Sequence, residues 1–491
     1  MPLAHIARIS GFTIVQAACS TAVALAVGIP AAFFTARRSF AGRNLLRSLS
    51  SVPLCIPALL VALGFISVWG RAGVCNRLLQ QAFSLREPPV TFLYSLVGII
   101  ITQGFYNFPL VMATVGDRWA SLSDGEANAA RLLGAGEGRI FRTITLHQLL
   151  PAIVSAGMLV FLYCFFSFMI ILLFGAVGTT TLEVEIYQSA RGTVDFARAG
   201  RLALAETTLA CLFVALYSSL EQKAARTRGG ALPAGRARLP LRGAGERLAF
   251  SLTLALVACF FLAPLAGIAY NAASSSRSPL TLETLRRTVA FSGFARAAGT
   301  TLLTASATGT LCVAVAFCYA VFLRTVDRAG KKLLLRVIPM LPMAVSGVVL
   351  GMVLTLLVRR GNLLLLIAAQ VALTWPLAFR QIYAALSALP QETVDAARLL
   401  SAKKRHLLLR IYLPYTLRGM LSAAGFCFAV SAGDTTLPLV LALPKGDTLA
   451  LFTYRLAGSY RYHEACAAGL LLGVLCSVVF GAASALKKER R

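Results

Sequence analysis

The sequence predicts an all-α polytopic membrane protein of about 11 transmembrane helices, arranged as two parallel repeats, and three observations carry that expectation. Of the 491 residues, 58% are hydrophobic and only 13% charged, whereas a soluble domain carries about a quarter charged residues. The apolar residues come in unbroken blocks: Leu248 to Tyr270 and Ala297 to Leu323 contain no charge at all. Blocks of about 20 apolar residues cross the hydrocarbon layer as helices, while the strands of a membrane barrel alternate with a period of two, which these runs do not. Thirdly, a set of residues recurs at one fixed offset along the chain.

The blocks fall in order. The first half reads as spans over 12–35, 51–70, 91–115, 149–174 and 202–220, the second as spans over 248–272, 297–323, 334–358, 362–386, 414–440 and 465–486. As helices, these segments satisfy their backbone groups internally, which lipid cannot do for them. Glu221 to Arg247 holds Arg, Gly, Ala and Pro with no sustained apolar run, and reads as a linker. The expected organisation is a first domain over 1–220, a basic linker over 221–247 and a second domain over 248–491. The span 248–272 has no counterpart before residue 12, so the first domain is expected to lack its first helix or to begin upstream of Met1. The first apolar run is too long for a cleaved signal peptide, and its positive flank is on the wrong side.

The formal net charge of +28 is distributed, not gathered. Basic residues stand in short stretches between the blocks: Arg37, Arg38, Arg43 and Arg47, then Lys223 to Arg247, then Arg324, Arg328, Lys331 and Lys332, then Lys487 to Arg491. That is the positive-inside pattern of a membrane protein, so no nucleic-acid partner is expected and membrane lipid is. It puts 36–50, 116–148, the linker, 324–333, 387–413 and the C-terminus in the cytoplasm, and 71–90, 175–201, 273–296 and 441–464 outside. The eleven cysteines are scattered singly without a CxxC, and His5, His147, His406 and His463 lie far apart in sequence. Neither a disulfide framework nor a clustered metal site is expected, and the cysteines read as small buried hydrophobes.

The repeat is the most informative feature. Pro109-Leu110 matches Pro376-Leu377, Leu122 matches Leu389, and Ala129 to Leu133 matches Ala396 to Leu400, all at an offset of 267. Upstream, Ser10-Gly11-Phe12 resembles Ser292-Gly293-Phe294 and Ala41-Gly42 resembles Ala329-Gly330, at offsets of 282 and 288. Extra residues around 71–90 account for the difference. Six predicted spans separate the matched loops, so both emerge on one face and the repeat is parallel, not inverted.

Within each matched loop the residues follow one pattern. The first copy has Asn128-Ala129-Ala130, then Gly134, Ile144 and Leu146; the second has Asp395-Ala396-Ala397, then Ser401, Ile411, Leu413 and Pro414. Adjacent alanines on a short helix let another surface approach the backbone, and glycine turns the chain between two helices. The pattern resembles the EAA loop of binding-protein-dependent ABC importer permeases. The first copy departs at Asn128 and at His147 in the place of proline, the second at Asp395 and Ser401. The resemblance implies two type I (MetI-like) permease domains, coupling loops that dock two copies of a partner ATPase, and a periplasmic or lipid-anchored substrate-binding protein. It places the chain in the bacterial inner membrane. No GxxxxGK[ST] phosphate loop occurs in the chain, so it is expected to be no enzyme and to bind no cofactor itself, ATP and Mg belonging to the partner.

Nearly the whole chain is similar to one branch, the fused permeases for thiamine and for iron(III). Phe33 to Arg71 and Gly458-Ser459-Tyr460-Arg461 are similar to the thiamine permeases, whereas the 180–188 segment TTLEVEIYQ is shared with the iron(III) permeases. Thiamine is the preferred substrate and iron(III) the alternative; an ion-coupled secondary transporter is the reading from a different class. Asp434 is the acid placed well inside an apolar run. It reads either as lining a path for a cationic substrate or as a capped or solvated residue near the end of its span.

Overall fold

The computed structural model describes residues 3–48, 56–175, 180–226, 239–241, 243–274, 281–326, 335, 338–358, 361–399, 403–443 and 446–485. Helices dominate because the apolar blocks can hide their backbone polarity in no other way. Several serines and threonines inside them close back on their own helix, as Thr13 does on the Ile9 carbonyl at 2.8 Å and Thr21 on that of Ala17 at 2.7 Å. Such bonds let hydroxyls sit in an apolar layer.

The first half is organised by α1 (Leu3–Arg37), α2 (Leu96–Ser121), the short α3 (Gly125–Leu132) and α4 (Leu146–Phe165). Small residues let α1 and α2 approach closely: a Cβ on Gly28 would fall 2.6 Å from Val111 Cβ, and one on Gly104 2.5 Å from Val23 Cγ1. Both glycines replace bulk with backbone contact. The second half repeats the plan with α5 (Phe294–Val326), α6 (Leu363–Ser387), α7 (Gln391–Leu399) and α8 (Leu413–Gly433).

One hydrogen bond shows the repeat at atomic level. The N–H of Leu182 donates to Thr13 Oγ1 at 3.1 Å, and that of Leu449 donates to Thr301 Oγ1 at 2.7 Å. The leucines are 267 residues apart and the threonines 288, two of the offsets found in the sequence. Each threonine thereby satisfies a backbone donor at the start of a short helix, Leu182–Tyr187 in one half and Leu449–Gly458 in the other.

Among the described residues, nine helices are long and apolar enough to cross a membrane. The pair Ile338–Ala344 and Gly347–Leu357, bent by 89°, raises this to 10. The expected span 414–440 is not among them and is interrupted: α8 stops at Gly433, Asp434 is extended (φ −71°, ψ 117°), and a short helix resumes at Thr436. The expected span 149–174 breaks at the matching place, where α4 ends at Phe165 and a short helix restarts at Met169.

The described residues divide into two compact units. The first holds α1, Val61–Ser189 and Asp195–Gly267; the second holds the chain from Ile268, with Ala190–Val194 and the stretch 56–60. The helix Ala244–Val257, which opens the second half in sequence, thus packs with the first unit. Phe250 on it meets Phe34 at 5.1 Å and Phe40 at 4.7 Å between ring centroids. Of the expected linker, 221–226 continues the helix Phe196–Arg226, and Leu239–Pro240 forms a two-residue parallel strand against Arg38–Ser39. Arg38 grips Glu246 through its forked guanidinium and lies 5.1 Å over the Phe33 ring. Residues 227–238 of the linker lie outside the described residues.

Candidate functional site

The repeated loops are helix–turn–helix elements whose inner side is anchored and whose outer side is bare. In the first, α3 carries Asn128, Ala129 and Ala130. It ends at Gly134, whose φ of +81° supplies the left-handed turn. The N–H of Gly134 reaches the Arg131 carbonyl at 2.9 Å and that of Ala135 reaches the Ala130 carbonyl at 2.9 Å, so the helix end is closed on both bonds. Arg131 then ties the helix across the turn. It donates to Asn128 Oδ1 at 2.7 Å and to both oxygens of Glu137 at 2.6 and 3.2 Å, which holds the guanidinium pKa above its ordinary value.

Ala127 and Ile140 face inward and are buried, while Leu132 and Leu133 are each 89% exposed. Two adjacent leucines left in solvent at the end of a well-capped helix are an unpartnered apolar surface. The second loop has the same plan. Val394 and Leu407 are buried in a cluster with Leu323, Leu386, Leu389 and Tyr412, and Leu399 is 86% exposed. Asp395 and Ala396 are exposed, and Ala397, Ile411 and Leu413 pack at the edge of the cluster. Ser401 lies outside the described residues.

Both loops return to the bundle through a π-helical turn, Phe141–Thr145 in the first and Leu407–Tyr412 in the second. Ile144 and Ile411 sit inside these turns, and Leu146 and Leu413 stand at their ends, each N–H bonding five residues back, to Phe141 and Leu408. Pro414, the next residue, stands at the start of α8, directly after the π turn. His147, in the matching place of the first loop, puts its ring Nδ1 3.2 Å from the Arg142 carbonyl.

Sequence reasoning singled out the alanines and the turn but passed over the anchors. Ala127 with Val394, and Ile140 with Leu407, stand at the same offset of 267 as the motif and are all buried. Matched apolar residues flanking the motif were the available signal.

Asp434 lies at the helix break. Its Oδ1 accepts the N–H groups of Thr436 at 2.9 Å and Leu437 at 3.3 Å, and its Oδ2 accepts from Gln370 Nε2 at 3.3 Å. Gln370 is itself held by Ser431 Oγ at 2.6 Å and Thr308 Oγ1 at 3.2 Å, so α5, α6 and α8 are joined through one amide. In the first half Gln103 occupies the place of Gln370, Cys164 that of Ser431 and Ser167 that of Asp434. There Gln16 Nε2 donates to the Cys164 carbonyl at 2.9 Å instead. The carboxylate thereby satisfies two N–H groups in the first turn of the helix Thr436–Leu441, as a capping side chain does.

Asp434→Asn keeps the accepting oxygen and is expected to leave stability and uptake nearly unchanged. Asp434→Ala is expected to lower stability by about 1 kcal/mol, the worth of a helix cap. A severalfold loss of uptake in Asp434→Asn at an unchanged melting temperature would instead assign the residue to the substrate path.

Two sets of apolar helices, each carrying a helical loop with a bare alanine–leucine face, define a polytopic membrane subunit of repeated design. The chain belongs to the family of binding-protein-dependent transport system inner membrane components, whose pattern it matches over residues 27–224 and 320–489. It is thus a multi-pass inner-membrane protein of the ABC importer permease family. It is 28% identical over 499 residues to the thiamine transport system permease protein ThiP of Brucella abortus (strain 2308), covering 98% of this chain and 88% of that protein. The ThiP protein of Brucella melitensis biotype 1 is similar to the same extent. A putative 2-aminoethylphosphonate transport system permease protein, PhnU of Salmonella typhi, is 31% identical over 178 residues, 36% of this chain and 62% of that protein.

Proposed function

We propose that this chain carries thiamine from a substrate-binding protein across the inner membrane by alternating access, driven by two copies of a separate ATPase docked on the 118–147 and 387–414 loops. The observation that carries the mechanism is the duplicated loop. Each copy presents small alanines and at least one leucine to solvent from a helix anchored by a buried residue beneath it. A surface of that kind suits a partner's groove, and two copies suit a pair of identical ATPases that close as rigid bodies. The motif residues Asn128, Ala129, Ala130 and Gly134, and Asp395, Ala396 and Ala397, form the docking side. Ile144, Leu146, Ile411, Leu413 and Pro414 carry its movement into α4 and α8.

The substrate assignment is supported by similarity along almost the full length to a protein named as a thiamine permease. The test is uptake of labelled thiamine by cells expressing this chain with its neighbouring ATPase and binding protein, with ferric iron offered in parallel. ATP-dependent thiamine uptake that vanishes without this chain is the expected result. Iron uptake without thiamine uptake would overturn the substrate and keep the class. Uptake that survives loss of the ATPase would overturn the ATP-driven mechanism in favour of ion coupling.

A further inference from the structure

The arginines that close α1 and α5 have, on the sequence, only a topological meaning: they are positive residues at the end of a span. The structure gives one of them in each half a second contact. In the first half Arg37, the last residue of α1, places Nη1 3.7 Å from Oδ1 of Asp124, the residue immediately before α3. The pair is largely sheltered, the two side chains being 15% and 27% exposed. In the second half Arg324, in the last turn of α5, donates from Nη2 to the backbone carbonyl of Leu389 at 2.7 Å, two residues before α7. Its guanidinium carbon also lies 5.8 Å from the ring centroid of Tyr412, the residue that ends the returning π turn.

Leu389 and Tyr412 are both buried in the cluster that holds Val394 and Leu407. Arg324 therefore grips the start and the finish of the loop at points that cannot give way independently. In the first half the finish is tied by ring contacts instead: Phe33 on α1 meets Trp119 at a tilt at 5.4 Å, and Trp119 stacks on Phe141, the start of the π turn, at 6.1 Å. Different chemistry thus makes the same connection twice, from the last turns of α1 and of α5 to the two ends of the docking element.

We propose that Arg37 and Arg324 are positioning residues for energy coupling: struts that make each docking loop move as one body with α1 or α5. The proposal rests on the reading of these loops as the ATPase-docking elements. A loop held only at its own two connections would bend when pushed, whereas a charged, sheltered strut to a third helix transmits the displacement.

The experiment uses the full complex of permease, ATPase and binding protein in proteoliposomes and measures three quantities: ATPase association, ATP hydrolysis stimulated by loaded binding protein, and substrate imported per ATP hydrolysed. In Arg324→Ala, association and hydrolysis are expected to persist while import per ATP falls by about fivefold or more, the lower range of coupling between sites. Arg324→Lys, which still donates to the Leu389 carbonyl, is expected to recover most of it. Arg37→Asp and Asp124→Arg are each expected to uncouple in the same way, and the double exchange to restore coupling.

Unchanged import per ATP in both Arg324→Ala and Arg37→Asp would overturn the strut assignment. Loss of ATPase association in Arg324→Ala that Arg324→Lys does not restore would overturn it as well, making the arginine a support of the docking surface. The underlying reading of the loops fails separately, if bulky charges at Ala130 and Ala397 leave association intact.

Discussion

Replacing Ala130 and Ala397 together by arginine is expected to abolish binding of the ATPase while the chain inserts and folds normally. Both alanines are half-buried, Ala397 at the rim of its cluster, beside the exposed Ala129 and Ala396, so a long guanidinium side chain must extend outward into solvent in the free permease. In a docked complex that space is taken by the partner. The exposed leucines Leu132, Leu133 and Leu399 would each lose apolar surface to such a partner, a gain of about 1.5–3 kcal/mol for a fully buried side chain. A guanidinium wedged beside them holds the surfaces apart and must itself be dehydrated. Even a loss of about 3 kcal/mol lowers affinity by more than 100-fold. Co-purification of the ATPase on the tagged permease reads the effect directly, with membrane insertion of the variant as the control. Wild-type recovery of the ATPase would remove the basis for calling these loops docking elements.

The second large effect is expected beneath the surface. Val394→Asp puts a carboxylate among Leu323, Leu386, Leu389, Leu407 and Tyr412, at a position only 1% exposed. Without a partner, that group must be either ionised in an apolar setting or protonated at the expense of its normal pKa, and the loss of local stability is expected to be about 3 kcal/mol or more. Val394→Ala, which removes only methyl groups, is expected to cost about 1.5 kcal/mol. The readout is limited trypsin cleavage of the purified permease. Val394→Asp should open the sites at Lys403, Arg405 and Arg410, while those at Arg139 and Arg142 in the other loop keep their wild-type rates. Equal resistance of the two loops in Val394→Asp would show that Val394 does not anchor α7.

These two outcomes differ in what they disturb. Arginine at the alanines leaves the buried anchors Val394 and Ile140 in place, so ATPase binding is expected to be lost from a permease that stays protease-resistant. Aspartate at Val394 changes the inner face, so protease resistance is lost first and binding follows from it. The strut variants form a third class, in which binding and resistance both persist and only the yield of transport per ATP falls.

The sequence by itself determined the class of this protein. Continuous apolar blocks leave the backbone no alternative to helices, and basic residues between them give an orientation, because lipid imposes both rules on any chain that crosses it. The single offset joining Ala129 to Leu133 with Ala396 to Leu400 was legible too, because five consecutive residues are identical at that offset. Tertiary structure decided the rest. That the expected span 414–440 breaks at Asp434 and that Gln370 on α6 meets the carboxylate there depend on how α5, α6 and α8 pack. That Ala127, Val394, Ile140 and Leu407 hold the loops from beneath depends on which side of a short helix meets the bundle. That Arg37 and Arg324 reach the loops depends on where the end of one helix lies beside the start of another. A hydrophobic pattern reports what a segment must avoid, and it does so locally. Which groups then meet is set by the packing of segments distant in the chain, and only the folded molecule brings those distances to a few ångströms.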